Sequence, residues 1–343
     1  MTETYLLGGY TKRINKGIAS IQFDAATQSF SNYQAIAPLN NPTWVTTSKD
    51  NTYLFAIDKE ELGGLVVFKQ EDTNNNYTRL TACHATEIPG CHISYHEPSG
   101  AVYVSNYHQG SVDIYCFENE TLTFIEQVKH SGCSVHANQQ SPHVHMTHFN
   151  ADETQLYVCD LGTDSVVLYT ILADGTLEKT DTVSVPAGTG PRHITFHPAL
   201  NIAYVIGELA NTVSVFTVAD NGHLTLIQTI ATTPKEYTET SAGAAIRVTN
   251  DGRFLYTSTR FHNIITAYTI QTDGTLTLLQ QINTGGDIPR DFILNASQEY
   301  LLVPHQDSDK ITVLQRNAQT GLLSNIGRSA TAPECVNIVP VHA

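Results

Sequence analysis

The sequence predicts an all-β fold, a seven-bladed β-propeller of four-stranded blades. One strand pattern repeats along the whole chain, each repeat holds four short strands, and sustained helical periodicity is absent. One aromatic or leucine residue, of a kind usually buried, marks each repeat. These anchor residues recur at intervals of 46 to 54 residues: Tyr5, Phe55, Tyr103, Tyr157, Tyr204, Tyr256 and Leu302. Because 343 residues divided by seven gives 49, the repeat fills the chain, and residues 1–343 are expected to form one domain.

The fifth repeat shows the four strands most clearly. Its segments read HITFHPALN, IAYVIGELA, NTVSVFTVAD and NGHLTLIQTI, which are rich in β-branched and aromatic residues and are bounded by Asn, Gly, Asp and Pro. Pairs such as Asp174-Gly175, Asn221-Gly222 and Asp273-Gly274 favour tight hairpin turns between strands. Each repeat is therefore predicted to form a four-stranded antiparallel blade.

The sequence also predicts how the ring closes. The first strand of a blade should begin eleven or twelve residues before the anchor, near Trp44, His92, His145, His193, Ala245 and Asp291. The Tyr5 unit has no room for such a strand upstream, whereas an unassigned strand, VNIVP, follows Cys335. The C-terminal strand should therefore pair into the N-terminal blade and remove an open sheet edge.

Composition restricts the partners and the compartment. Eighteen Lys and Arg against 33 Asp and Glu leave a net charge of −15, which argues against binding to nucleic acid or to an anionic membrane surface. The chain has no 18-residue apolar run and no signal-like N-terminus, and its six cysteines form no Cys-x-x-Cys pair. We expect a cytoplasmic protein with reduced thiols and, since no coiled-coil or apolar stripe indicates a partner, a monomer.

One mouth of the ring collects the candidate site. The loops that precede the first strands and those that end the second strands should surround the same opening of the central channel. They contain three of the nine arginines of the chain. The ionisable candidates on this rim are Arg192, Arg260, Arg290, His92, His143, His145, His193, His305, Asp160 and Glu208.

These residue types suit an anionic substrate. A guanidinium binds carboxylate or phosphate through two hydrogen bonds, and a histidine can move protons at neutral pH. Structural alternatives stay open at this point: His92 and His305 could satisfy strand ends, Glu208 could simply pair with an arginine, and Arg290 could pair with Asp291.

No metal or organic cofactor is expected. His143-Val144-His145 is a possible two-histidine fragment, but neighbouring arginines disfavour a bound cation, and no metalloprotease or calcium-loop motif is present. The phosphate-loop and dinucleotide motifs are also absent, and so is the Gly-x-Ser-x-Gly elbow of covalent hydrolases.

Several segments together resemble the bacterial lactonase family of seven-bladed propellers, which includes the propeller type of 6-phosphogluconolactonase and the fungal carboxy-cis,cis-muconate cyclase. The segments are Gly190-Pro191-Arg192-His193, Gly207-Glu208-Leu209, Asn250-Asp251-Gly252-Arg253-Phe254-Leu255-Tyr256, Ser258-Thr259-Arg260, Pro142-His143-Val144-His145 and Cys159-Asp160-Leu161-Gly162. The family usually has Ser-Asn-Arg where this chain has Ser-Thr-Arg, but the arginine is kept.

The resemblance implies a catalytic set and a reaction. The site proposed for the cyclase branch falls on His145, Arg192, Glu208 and Arg260, and substrate contacts are expected from His193, Arg290, His143, Asp160, His92 and His305. The implied reaction is metal-independent hydrolysis of 6-phospho-D-glucono-1,5-lactone to 6-phosphogluconate, in the pentose phosphate pathway. The arginines would bind the anionic substrate, and His145 or Glu208 would activate water.

Two other functions stay open. The first is a muconate-type cycloisomerase or another sugar lactonase, which would use the same arginines and the same histidine or glutamate. The second is a non-catalytic interaction propeller. Against the second, the chain has one tryptophan, Trp44, and no Trp-Asp dipeptide of the kind that marks WD repeats.

Overall fold

The chain is folded into seven four-stranded antiparallel blades, as the sequence predicted. The computed structural model describes residues 2–71 and 76–341. Blade 1 combines β1 (Thr2–Gly9), β2 (Gly17–Asp24) and β3 (Ser29–Pro38) with the last strand of the chain, β28 (Cys335–Val341). Blade 2 contains β4 (Val45–Thr47), β5 (Tyr53–Lys59), β6 (Gly63–Gln70) and β7 (Tyr77–Thr86).

The next three blades follow in chain order. Blade 3 contains β8 (His92–His96), β9 (Ala101–Asn106), β10 (Ser111–Glu118) and β11 (Thr121–Lys129). Blade 4 contains β12 (Val144–Phe149), β13 (Gln155–Asp160), β14 (Ser165–Ile171) and β15 (Leu177–Ser184). Blade 5 contains β16 (Pro191–Phe196), β17 (Ile202–Gly207), β18 (Thr212–Val218) and β19 (Leu224–Ala231).

Two further blades complete the ring. Blade 6 contains β20 (Ala242–Val248), β21 (Phe254–Arg260), β22 (Ile264–Ile270) and β23 (Leu276–Asn283). Blade 7 contains β24 (Ile293–Leu294), β25 (Tyr300–His305), β26 (Lys310–Arg316) and β27 (Leu323–Thr331). No part of residues 2–71 and 76–341 forms a helix of the length and apolar character needed to cross a membrane.

The C-terminal strand closes the ring. β28 pairs antiparallel with β1, from Thr4 opposite Val341 to Gly9 opposite Cys335, and so occupies the innermost position of blade 1. The predicted closure is therefore confirmed. It covers the backbone edge that β1 would otherwise expose to the channel.

The first strand of blade 7 covers two residues and begins at Ile293, two residues after the predicted start at Asp291. The buried Asp291 carboxylate takes over backbone bonding at this point. Asp291 Oδ1 accepts the Phe292 amide at 2.9 Å, and Oδ2 accepts the Ile338 amide of the closing strand at 3.4 Å. A side chain thus replaces part of the strand ladder.

The hydrophobic core lies between the blades. In the described part of the chain, seven clusters of buried side chains each join two neighbouring blades, and the cluster between blades 1 and 7 includes Tyr5 and Leu302. All seven predicted anchors are fully or almost fully buried. Sheet-on-sheet packing of this kind buries both faces of every blade, so that polar residues collect at the strand ends.

Four of the anchor residues also connect one blade to the next through a hydrogen bond. Their hydroxyls donate to a glycine carbonyl in the outer turn of the following blade, at 2.7 to 2.9 Å: Tyr103 to Gly175, Tyr157 to Gly222, Tyr204 to Gly274 and Tyr256 to Gly321. These glycines have φ between 73° and 87°, and a Cβ at Gly222 would lie 2.8 Å from the Tyr157 hydroxyl. The turn therefore needs glycine both for its conformation and for close approach.

Tyr204→Phe should lower the free energy of unfolding by about 1–3 kcal/mol, because the buried Gly274 carbonyl loses its donor while the packing stays. Urea unfolding followed by circular dichroism measures the change. Tyr33→Phe is the matched control, since Tyr33 is 44% exposed and its hydroxyl makes no hydrogen bond to the described residues. Equal stability of the two variants would contradict a stabilising role for the hydrogen bond from Tyr204 to Gly274.

Candidate active site

A cavity of about 380 Å³ opens at one mouth of the ring. Its size is in the range of sites for small molecules. It is lined by Tyr10, Lys12, Asn41, Thr43, Pro89, Gly90, Cys91, Tyr107, His108, His145, Glu208, Arg260 and Arg290. A narrower space of about 30 Å³ shares part of this lining and adds Trp44, Arg192 and Val336.

The four residues singled out as catalytic come together at this cavity. His145, Glu208 and Arg260 line the main cavity, and Arg192 lines the narrower space. Their positions follow from the repeat: His145 and Arg192 lie at the starts of innermost strands, whereas Glu208 and Arg260 lie at the ends of second strands. These two kinds of strand end meet at the same mouth.

Glu208 joins the two arginines. Its Oε2 accepts from Arg192 Nε at 3.0 Å and lies 2.8 Å from Arg260 Nη2. Arg192 Nη1 also donates to the Ala244 carbonyl at 2.7 Å, and Arg260 Nε is buried without a partner. One carboxylate thus holds two guanidinium groups, and Arg260 also lines the main cavity.

The arginines keep Glu208 ionised. Burial alone raises the pKa of the Glu208 carboxyl, but Arg260, Arg192 and Arg290 outweigh it, so that the net pKa lies below its ordinary value. Burial and the other two arginines lower the pKa of Arg192 to about 9, which still leaves it protonated at neutral pH. The cluster therefore carries three positive charges and one negative charge.

Three buried histidine rings and one partly buried indole pack in a row beside the cavity. The ring centre of His193 lies 5.2 Å from that of His145 and 6.1 Å from that of His92, and His92 packs on Trp44 at 4.3 Å. Arg192 Nη1 lies 3.0 Å from His193 Nε2, and a guanidinium can only donate. His193 is therefore neutral, with its proton on Nδ1.

All three histidines are held in the neutral form. Burial is the main cause that lowers the pKa of His92, His145 and His193 well below the ordinary value, and nearby arginines add to it. His145 is the one that lines the main cavity, and its buried Nδ1 has no hydrogen-bond partner. A neutral imidazole that lines a cavity can accept a proton from a bound molecule through its exposed face.

Arg290 has no carboxylate partner among the described residues, although Asp291 follows it in the chain. Asp291 pairs instead with Arg247, whose Nη2 lies 2.9 Å from Asp291 Oδ1. Arg290 lines both the main cavity and the narrower space. The local ion pair considered from the sequence does not form, and Arg290 presents an uncompensated positive charge to the cavity.

Of the six expected substrate contacts, only Arg290 lines the cavity. His92 and His193 belong to the row of buried histidine rings, and Asp160, His143 and His305 make other contacts. Asp160 is buried and accepts from the His143 amide at 2.7 Å, and its other oxygen lies 2.8 Å from His130 Nδ1. His143 stacks on Tyr107, with 4.3 Å between ring centres. His305 is buried, and its Nδ1 lies 3.4 Å from the Lys310 carbonyl. In the structure these side chains support the rim rather than face the cavity.

The sequence did not single out other residues that line the cavity. Lys12, Tyr107, His108 and Cys91 line it as well. Tyr107, His108 and Cys91 stand in the strand-end segments that mark the mouth, and Lys12 lies two residues beyond Tyr10, which ends such a segment. Burial raises the pKa of the Cys91 thiol to about 12, which disfavours the nucleophilic thiolate at neutral pH.

A possible metal-ligand group lies elsewhere. Among the described residues, Asp58, Glu60 and His84 bring one ligand atom each within 4.8 Å of the others. His84 Nε2 lies 3.0 Å from Asp58 Oδ2, and Arg79 Nη2 lies 3.3 Å from Glu60. None of these residues lines the cavity, and the arginine competes with a cation for Glu60.

Fold and site together define a propeller with an arginine-rich cavity at the mouth of its channel. The family model for the seven-bladed β-propeller lactonases matches residues 4–340. The 6-phosphogluconolactonase of Bacillus subtilis is 32% identical over 343 residues, covering 98% of this chain and 97% of that protein. A crystal structure from Lactobacillus plantarum is 32% identical, covers 100% of both chains and superposes with a TM-score of 0.95.

A second crystal structure is that of a proposed 6-phosphogluconolactonase from Bacteroides fragilis. It is 26% identical, covers 99% of this chain and 98% of its own, and has a TM-score of 0.92. The present chain belongs to the lactonase family of seven-bladed β-propellers. Its enzyme class is therefore lactonase, a hydrolase of cyclic carboxylic esters.

The buried neutral histidines should make stability depend on pH. Below about pH 6.5 the histidines become protonated in the unfolded chain but stay neutral in the native protein. The free energy of unfolding therefore keeps its full value above that pH and decreases as the pH is lowered further. His92→Phe, which keeps a ring against Trp44, should reduce this loss by up to about 1.4 kcal/mol per pH unit.

Urea unfolding of both proteins at pH 7.5 and at pH 5.5 measures the effect. The difference at pH 7.5, where His92 is neutral in both states, gives the packing cost of the substitution and serves as the baseline. If wild type and His92→Phe differ in free energy of unfolding by the same amount at pH 5.5 as at pH 7.5, His92 does not resist protonation in the native protein.

Proposed function

We propose that the protein hydrolyses 6-phospho-D-glucono-1,5-lactone to 6-phosphogluconate without a metal ion. The observation that carries the proposal is the surplus of positive charge at the cavity. Lys12, Arg260 and Arg290 face one carboxylate, Glu208, in a chain of net charge −15. The surplus of two charges matches the −1.5 to −2 of a phosphate monoester. The full-length similarity to the Bacillus subtilis enzyme supports the same substrate.

Water attacks the lactone carbonyl at C1 in the proposed reaction. Neutral His145 takes one proton from the water as the new C–O bond forms, and the carbonyl oxygen becomes an oxyanion. Arg260, which lines the main cavity, stabilises that charge, and Arg192 contributes to the same field. The bond from C1 to the ring oxygen then breaks, and His145 returns the proton to that oxygen, which becomes a hydroxyl.

His145 is the better candidate for the base. Glu208 Oε2, the oxygen that would accept a proton, is already shared by the guanidinium groups of Arg192 and Arg260. His145 lines the cavity and makes no hydrogen bond through its ring to the described residues. In the proposal, Glu208 therefore fixes the positions of the arginines and His145 moves the proton.

The proposal includes a setting. The product is a sugar acid phosphate, so the reaction belongs to the oxidative pentose phosphate pathway, as its second step. The enzyme is proposed to work as a cytoplasmic monomer in which the closed ring is one domain. The Bacillus subtilis relative supports the pathway through its activity.

Purified protein should accelerate hydrolysis of freshly made 6-phosphogluconolactone above the spontaneous rate, and EDTA should not change the rate. Formation of 6-phosphogluconate can be followed through its NADP-linked dehydrogenase. Loss of activity in EDTA, restored by a divalent cation, would overturn the metal-independent mechanism. Absence of acceleration would overturn the substrate, and a muconate-type lactone would be tested next.

His145→Ala should lower kcat by about 10²- to 10⁴-fold, the range for loss of a general base. Glu208→Gln should lower kcat less and raise KM, since the arginines lose their anchor while the base remains. His143→Ala is the control, because His143 stacks outside the cavity. Near-normal kcat in His145→Ala would remove His145 from the mechanism, and a larger loss in Glu208→Gln would transfer the base to Glu208.

A further inference from the structure

We propose that Lys12 is the residue by which the enzyme distinguishes a phosphorylated lactone from an unphosphorylated one, and that Glu334 is its positioning residue. This inference rests on the proposed function and adds to it a division of the cavity into two parts. The inner part performs the chemistry, and the outer part binds the remote phosphate.

The cations of the cavity differ in depth and in pairing. Arg192 is buried, lines only the narrower space and is paired with Glu208. Arg260 is buried and paired with the same carboxylate. Lys12 is exposed, lines only the main cavity and forms no ion pair with the described residues. The paired charges thus lie deep, and the unpaired lysine lies at the entrance.

Arg290 lies between these two parts. It lines both spaces and has no ion-pair partner among the described residues. Its loss would therefore disturb both phosphate binding and the field at the reacting carbonyl. Lys12 is the cation whose removal affects the outer part alone, which makes it the residue that can be tested for specificity.

A buried carboxylate fixes the loop that carries Lys12. Glu334 accepts four consecutive backbone amides of the loop between β1 and β2, at distances of 2.9 to 3.1 Å: Lys12, Arg13, Ile14 and Asn15. Its side chain is 3% exposed. Four amides around one carboxylate form an anion-binding concavity of the backbone. The loop is therefore held in one conformation by a residue that directly precedes the closing strand.

A second contact fixes the same arrangement. Asp309 Oδ1 accepts the Glu334 amide at 2.8 Å and lies 2.7 Å from Arg13 Nη2. The neighbouring arginine of the loop is thus tied down on the outside of the rim. Lys12 keeps its side chain free of such ties, with Nζ 4.7 Å from the centre of the Tyr10 ring. Tyr10 itself lines both parts of the cavity.

This arrangement suits phosphate capture. The ammonium group is a compact charge with three donors, and lysine binds phosphate as a point charge without demanding one fork geometry. The backbone is ordered before the substrate arrives, so only the lysine side chain loses freedom on binding. The phosphate would then lie between Lys12 and Arg290, and the lactone ring would extend inward to His145.

The test compares two substrates, 6-phosphogluconolactone and glucono-1,5-lactone, in four variants. Lys12→Met should raise KM for the phosphorylated lactone about 10- to 100-fold, as expected for a lost hydrogen bond between charged groups, with kcat within about twofold of the wild type. Its kcat/KM for glucono-1,5-lactone should not change. Lys12→Arg should restore most of the discrimination.

Lys16→Met is the matched control, because Lys16 lies in the same loop but does not line the cavity. It should leave both substrates unaffected. Glu334→Gln should raise KM for the phosphorylated lactone in the same direction as Lys12→Met, with kcat again preserved. Thermal unfolding of this variant shows whether the ring itself has been weakened, and Lys12→Met still decides the question if it has.

Binding of 6-phosphogluconate and gluconate, measured by calorimetry, separates this inference from the proposed function. If the wild type hydrolyses neither lactone, the proposed reaction fails, and a loss of 6-phosphogluconate affinity in Lys12→Met would still support the phosphate subsite. If the wild type is active and Lys12→Met keeps its KM for the phosphorylated lactone, or loses both substrates equally, the subsite is overturned.

Discussion

The pairing of the last strand with the first blade is the constraint on which both the ring and its mouth depend. β28 lies innermost in blade 1, and its Asn337 ties the neighbouring blades together. Asn337 Oδ1 accepts the Val45 amide of blade 2 at 2.9 Å, and Nδ2 lies 3.3 Å from Asp291 of blade 7. Glu334, one residue before the strand, holds the loop of Lys12. Closure therefore places the rim loop as well as sealing the sheet, because the same short segment makes both sets of contacts.

The charges at the mouth support the proposal of an anionic substrate. Removing ions from water is costly, and one carboxylate cannot compensate three guanidinium groups. The structure tolerates this crowding because Glu208 bridges two of them and the cavity leaves the third open to solvent. A bound phosphate or carboxylate would relieve the remaining repulsion. The rest of the protein repels anions at long range, but in salt this repulsion fades within about 10 Å, whereas contacts inside the cavity persist.

Features set by local pattern could be predicted from the sequence. The anchors, the turns and the closing strand follow from alternation, spacing and length, and each lies where the pattern placed it. Rim residues were found because strand ends of the same kind meet at one mouth. Side-chain direction could not be predicted, since it depends on distant partners: Asp160 turns to His130, and Asp291 turns to Arg247. Lys12 was missed for the same reason, because Glu334, 322 residues away, fixes its loop.

In the proposed mechanism, the arrangement of His145 and the arginines couples binding to chemistry. After burial, the arginines are what lower the pKa of His145, so the empty site holds a weak base. An anionic substrate that neutralises Arg290 would remove part of that effect and raise the pKa of His145 toward its ordinary value. The base thus becomes stronger when the correct charge is bound, whereas a neutral lactone leaves it weak. Recognition of the remote phosphate would then contribute to the rate as well as to affinity, through the field of groups that already contact the substrate.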